Sequence, residues 1–186
     1  ITELPPSRKA IYDQLNFANS LAKVMQAIDS QQADQGTELT RQQIDALLAR
    51  AIQQAQNLND PIAESYGVGQ RGELYEMLGQ WSQAQTLTQQ ALWLTNKTQY
   101  LDGLYRWEWQ QGRLFKKQGK QAEAIGAYDA AVETLAKVRK NLLFIDTEVQ
   151  FSFRDNVEPI YRELVELLLT SENSNEPSQK NLEKAI

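Results

Sequence analysis

Two stretches of the chain match each other without gaps at a separation of 40 residues. Gly72, Tyr75, Leu78, Gly79, Ala84, Ala91 and Leu92 align with Gly112, Phe115, Gln118, Gly119, Ala124, Ala131 and Val132. A repeat of this length constrains the fold more than any other feature, because each copy must be one small unit that buries its apolar face against its neighbours. The residue types say what the unit is. Ala, Leu, Gln and Glu dominate and favour helix, and long runs of alternating β-branched residues are absent. Gly72 and Gly112 fall inside helical stretches, where glycine costs about 1 kcal/mol against alanine. Close approach of a partner helix offsets that cost, so both glycines are expected at tight helix–helix contacts. Gly79 and Gly119 follow the apolar runs and predict left-handed helix ends. Ala84, Ala91, Ala124 and Ala131 let a second helix pack closely on the first, and Tyr75, Phe115 and Tyr128 fill the gaps between hairpins.

This is the logic of the tetratricopeptide repeat (TPR), a helical hairpin with a period of about 34 residues. The predicted class is therefore all-α, with TPR-like helical-hairpin repeats stacked into an α-α superhelix and a capping helix at the C-terminal end. The chain departs from the pattern. Its longer period adds about six residues to the second helix or the turn after it. Val68 and Arg71, and Glu108 and Gln111, replace the signature Trp and Leu. The closing proline is missing, and Thr88 stands where the other copy has Tyr128. A third copy precedes these two. It places Ala51 and Ile52 opposite Ala91 and Leu92, in a helix expected from about Thr40 to Asn57. Its first helix is expected over about Ser7 to Ile28, with Ala18 in the glycine position and Leu21 in the aromatic one. The polar segment Asp29–Thr40 takes up the extra residues of this copy, with Thr40 as N-cap.

Hairpins are thus expected over about 7–57, 61–98 and 100–138 within one repeat domain, 1–170. Asn59-Asp60-Pro61 supplies a capping side chain followed by a proline at the first helical position. Beyond Val138 the pattern changes. Asp146-Thr147 predicts a helix start, and Pro159 is expected to start or kink a helix reaching Thr170. Ile160, Tyr161, Leu164, Val165, Leu167 and Leu168 form its wide apolar stripe, suited to closing the end of a repeat array. Residues 171–178 read as linker by composition, and 179–186 as the first turns of a further helix cut short.

Composition narrows the function. Among 186 residues there is no cysteine and no histidine, and the net charge is -5. Thiolate chemistry, disulfides and the commonest metal ligand and neutral-pH base are therefore missing. No cofactor, metal or catalytic residue is assigned, and the chain is read as a non-enzyme. The acidic balance argues against nucleic acid as partner. No apolar run approaches the roughly 20 residues that span a bilayer, and no signal peptide is evident. A cytoplasmic protein is expected. The first residue is Ile, so a fragment or processed form is expected too.

The run Val149–Leu169 (VQFSFRDNVEPIYRELVELLL) resembles the segment that joins TPRs to the caspase-like peptidase domain of CHAT proteins, a group frequent in cyanobacteria. Phe153-Arg154-Asp155 and Val157-Glu158-Pro159-Ile160-Tyr161-Arg162-Glu163-Leu164 carry the likeness most specifically. Asn181-Leu182-Glu183-Lys184-Ala185 fits the same layout. The resemblance implies the TPR arm of such a protein, a regulatory or recruiting scaffold lacking the His–Cys dyad of the downstream domain.

Binding candidates follow from the repeat frame. Arg106, Trp109, Arg113 and Lys116 share one helix face, and the TPR pattern turns that face to the concave groove. Lys117 borders it. Cations beside a tryptophan suit an acidic peptide with an apolar anchor, or the downstream CHAT domain. A solvated basic stripe is the competing account. In the preceding repeat Tyr66, Gln70, Glu73 and Met77 occupy comparable positions, giving a groove that runs from neutral or acidic to basic. Trp81, Trp93 and Trp107 read as core or inter-repeat packing. Phe151 and Phe153 are expected beneath the capping helix or against a downstream domain. Glu163 and Glu166, three apart, read as a solvated face unsuited to acid–base work. The leading expectation is a protein- or peptide-binding scaffold, and the alternative is self-assembly through stacked repeats.

Overall fold

The computed structural model describes residues 7–29, 35–142 and 147–170. Among the described residues seven helices follow one another: α1 (Arg8–Asp29), α2 (Gln35–Asn57), α3 (Pro61–Met77), α4 (Trp81–Thr98), α5 (Leu101–Lys117), α6 (Gln121–Leu142) and α7 (Thr147–Thr170). There is no strand among the described residues. The fold is all-α, built from helical-hairpin repeats. By packing, the chain divides into two compact units, Ile1–Gly103 and Leu104–Ile186. The boundary falls three residues into α5, inside the stretch taken from the sequence as one continuous repeat domain.

The helix ends explain the repeat. Gly79 and Gly119 adopt left-handed backbone, with φ of 70° and 71°. Gly79 N–H donates to Glu76 O and Gln80 N–H to Tyr75 O; Gly119 N–H and Lys120 N–H do the same to Lys116 O and Phe115 O. These paired bonds satisfy carbonyls that a helix end leaves without partners. The same turn occurs at Asn59 and Gln99, with φ of 49° and 54°. Asn59 N–H reaches Gln56 O and Asp60 N–H reaches Ala55 O, while Gln99 and Tyr100 bond to Asn96 O and Thr95 O. The four turns stand at positions 59, 79, 99 and 119. The 40-residue period is thus two successive helix-plus-turn units of equal length.

Gln99 bears the steric cost of left-handed backbone, about 1–2 kcal/mol for a residue with a Cβ. Glycine removes it but raises the entropy of the unfolded chain. Gln99→Gly is therefore expected to raise stability by a few tenths to about 1 kcal/mol, read as a higher urea midpoint at unchanged slope. A lower midpoint would contradict the turn geometry.

Helix starts follow local chemistry. The Ser7 hydroxyl accepts from Ala10 N–H at 3.1 Å. Asp60 Oδ1 accepts from Ala63 N–H at 3.0 Å, ahead of Pro61 in the first turn of α3. Thr40, expected as an N-cap, lies inside α2 instead, because that helix begins at Gln35. Pro159 likewise begins nothing: α7 runs through it as one helix. Val157 and Ile160, on either side of the proline, are buried, and packing there outweighs the missing backbone bond.

In the first unit, Ile11, Leu15, Ala18, Met25, Ile44, Leu48, Ala51, Ala55, Ala63 and Leu74 form one core from α1, α2 and α3. Arg71 of α3 holds Asp45 of α2 with two bonds, Nε to Oδ1 at 2.7 Å and Nη2 to Oδ2 at 3.0 Å. Ala84 and Ala91 are fully buried, and so is Thr88, which stands where the other copy has Tyr128. The Thr88 hydroxyl donates back to Ala84 O at 2.7 Å, so its burial leaves no hydroxyl proton unsatisfied.

In the second unit, Ala124, Ala131 and Tyr128 are fully buried. A Cβ on Gly112 would lie 2.6 Å from Tyr128 Cδ2 and 2.8 Å from Cε2. Gly112 thus sits at the tight contact its sequence position predicts. Gly72 is buried in α3. Trp107 is buried, but Trp81 and Trp93 are 39% and 62% exposed. Of the two placements expected for them, core or inter-repeat packing, the core is thereby ruled out for both. Trp93 lies on the side of α4 away from its buried row Ala84, Thr88, Ala91 and Thr95, and Trp81 stands beside that row in the first turn of the helix. Trp93 stacks under the Lys97 ammonium, 5.3 Å from its ring centre. The side chains of Phe151 and Phe153, and residues 171–186, lie outside the described set.

Candidate functional site

The two groups of candidate residues fall in different units. Tyr66, Gln70 and Glu73 belong to the first, where α1 and α3 lie side by side over α2. Tyr66 meets Tyr12 of α1 edge-to-face, with ring centres 6.2 Å apart, and Tyr100 edge-to-face at 5.9 Å. Arg8 stacks over Tyr12 at 5.9 Å and bridges to Asp60 at 2.8 Å. Burial pushes the Tyr12 phenol above its ordinary pKa, and its hydrogen bond with Arg8 pulls it back.

Further along the same helices, a small cavity of about 80 Å³ opens between α1 and α3. Ala18, Ala22, Ile44, Leu48 and Leu74 give it an apolar floor; Asn19, Lys23, Gln26, Gln70 and Glu73 supply polar walls. Its volume lies well below the roughly 150 Å³ of a cavity that admits benzene, so it suits the tip of one aliphatic side chain. Gln70 contributes a buried carbonyl oxygen with no hydrogen-bond partner. Leaving such an atom unmatched costs about 1–3 kcal/mol. The glutamine at the equivalent position of the next repeat, Gln110, is 1% exposed and has both amide atoms unpartnered. On α1, Tyr12, Asn19, Lys23 and Gln26 share one helical face, and on α3 Tyr66, Gln70, Glu73 and Met77 do so. The sequence supplied the α3 half only. The longer first hairpin shifts α1 out of the 40-residue frame; with Ala18 set against Gly72, Tyr66, Glu73 and Met77 fall opposite Tyr12, Asn19 and Lys23, and of these only the tyrosine keeps its type.

Arg106, Trp109, Arg113 and Lys116 belong to the second unit, on α5. Arg106 is exposed, with its guanidinium 5.4 Å from the Tyr105 ring centre. Arg113 stacks on Trp109 at 4.4 Å. Trp109 Nε1–H donates to Glu163 Oε2 at 2.9 Å, and Lys116 donates to Glu166 Oε2 at 3.1 Å. Part of the face assigned to a partner is therefore occupied by α7 of the same chain. Glu163 is no solvated carboxylate: it is half-buried, and its Oε2 also accepts from the Tyr128 hydroxyl at 2.7 Å. A signal for this was present, since Gly112 makes room for Tyr128, and a buried phenol calls for an acceptor. Behind this face, burial pushes the Glu108 carboxyl above its ordinary pKa, while a hydrogen bond from Thr134 and the charge of Lys137 oppose the shift.

Neither a protein-family model nor a curated protein matches the chain. Its fold is similar to that in the crystal structure of BtubC (BKLC) from P. vanneervenii. The TM-score is 0.63 at 20% identity, over 98% of this chain and 73% of that one. Likeness at this identity speaks to fold, and it supports the all-α repeat arrangement. No helix among the described residues is long and apolar enough to cross a membrane.

Proposed function

We propose that the chain is a protein-interaction module that holds a peptide segment along the paired faces of α1 and α3. The observation carrying this reading is the cavity between those helices, with its aliphatic floor and the unpartnered carbonyl of Gln70. A bound segment that inserts one small aliphatic side chain and brings an N–H donor offsets both deficits. The tyrosine cluster supplies rigid contact area beside it at low entropic cost. Lys23 and Glu73 offer charges of both signs at the rim. The resemblance of Val149–Leu169 supports reading such a module as the TPR arm of a CHAT-type protein, regulating or recruiting rather than catalysing. The bound segment then belongs to a separate protein or to the downstream domain.

Peptide display on the purified chain tests this reading. Enriched peptides are expected to share an aliphatic anchor and to lose at least tenfold in affinity, about 1.4 kcal/mol, against Tyr66→Ala/Gln70→Ala. Enrichment that is indifferent to both substitutions would move the binding site elsewhere.

A further inference from the structure

The face of α5 and α6 beneath α7 has chemical demands that few occupants meet. Tyr128 is fully buried and Trp109 half-buried, and both donate to one oxygen, Glu163 Oε2, at 2.7 and 2.9 Å. Lys116 meets Glu166 at 3.1 Å. Between these polar points α7 buries Ile160, Leu164, Leu167 and Leu168. An apolar helix of the same shape would strand the two donors away from water, and a basic one would face Lys116. The carboxylate is thus read at a fixed register, one residue ahead of a buried leucine.

We infer that this α5/α6 face is a receptor for an acidic amphipathic helix of pattern Ile-x-x-Glu-Leu-x-Glu-Leu-Leu. Helix α7 is its resident occupant, and a partner helix with that pattern exchanges with it. The pattern spans only Ile160 to Leu168, so a short helix from another protein reproduces every contact above. The Lys116–Glu166 pair lies at the exposed edge, with side chains 38% and 61% accessible. Salt and competing charge therefore weaken it readily. The inference rests on reading the chain as an interaction module, but it concerns a different face from the α1/α3 cavity.

A labelled peptide of residues 157–170 is the probe. Against Glu163→Lys/Glu166→Lys chain, whose own α7 is disfavoured, the native peptide is expected to bind about fivefold tighter or more than a peptide with Glu163 and Glu166 changed to glutamine. It is also expected to bind that variant at least tenfold tighter than unaltered chain, where α7 competes at high effective concentration. Equal affinity of the two peptides for variant chain that keeps its helical circular dichroism overturns the proposal. Should the variant lose its fold, hydrogen exchange on unaltered chain decides: excess native peptide speeds exchange in 157–170 and the glutamine peptide does not. No acceleration overturns exchange of α7. Tyr66→Ala/Gln70→Ala leaves these readouts unchanged, so failure here is separable from failure of peptide binding at the α1/α3 face.

Discussion

Gly112→Ala is expected to destabilise the chain by about 2–3 kcal/mol, although alanine is the better helix former by about 1 kcal/mol. The added methyl would sit 2.6 and 2.8 Å from two ring atoms of Tyr128, closer than atoms can pack. The ring cannot swing into solvent, because it is fully buried and its hydroxyl is committed to Glu163. Overpacking of this kind costs about 1–3 kcal/mol, and displacing the phenol adds the loss of a hydrogen bond to a charged acceptor. Gly126 provides the control. It lies in α6, is exposed, and a Cβ there meets nothing within 4 Å. Gly126→Ala should therefore stabilise by about 0.5–1 kcal/mol. One substitution at two helical glycines thus gives opposite signs. Urea titration followed by tryptophan fluorescence measures both, and equal signs would show the Gly112 contact to be misplaced.

Glu163→Leu is expected to cost about 2–4 kcal/mol. Leucine fits a helix face that is already apolar, yet it removes the shared acceptor of Trp109 and Tyr128. Each stranded donor costs about 1–3 kcal/mol, and burial of the new side chain recovers part of the sum. Glu163→Gln keeps an oxygen at the same reach and loses only the charge assistance, about 1 kcal/mol. In the leucine background, Tyr128→Phe should cost less than it does in the native chain, since it removes a donor that has already lost its acceptor. A glutamine variant as unstable as the leucine one would mean that charge, not hydrogen bonding, fixes α7.

Gly79 and Gly119 were legible because left-handed backbone selects glycine. The same turn at Asn59 and Gln99 was not, since main-chain bonds make that turn and a side chain there costs only about 1–2 kcal/mol. The 40-residue period was therefore visible while its division into two equal halves was hidden. Gly112 was legible from its place in the repeat, but its partner Tyr128 became meaningful only with Glu163 above it. Apolar periodicity overestimated burial for Trp81 and Trp93, because a large aromatic can lie on a helix flank beside long polar chains as readily as in a core. Half of the candidate site on α3 followed from helical spacing. The other half, on α1, needed the spatial pairing of two helices whose sequence offset differs from the repeat. The basic stripe on α5 was expected to draw an acidic apolar segment. Its nearest such segment is α7, which spacing alone could not bring there.

A peptide bound on the α1/α3 face perturbs the amides of the residues that line it. An amide NMR titration of the chain with a display-selected peptide tests that binding most directly. Saturable shifts are expected, centred on Asn19, Lys23, Tyr66, Gln70 and Glu73, with residues around Trp93 on α4 unmoved. Shifts that saturate around Trp93 and leave Gln70 and Lys23 in place would contradict binding at the α1/α3 face.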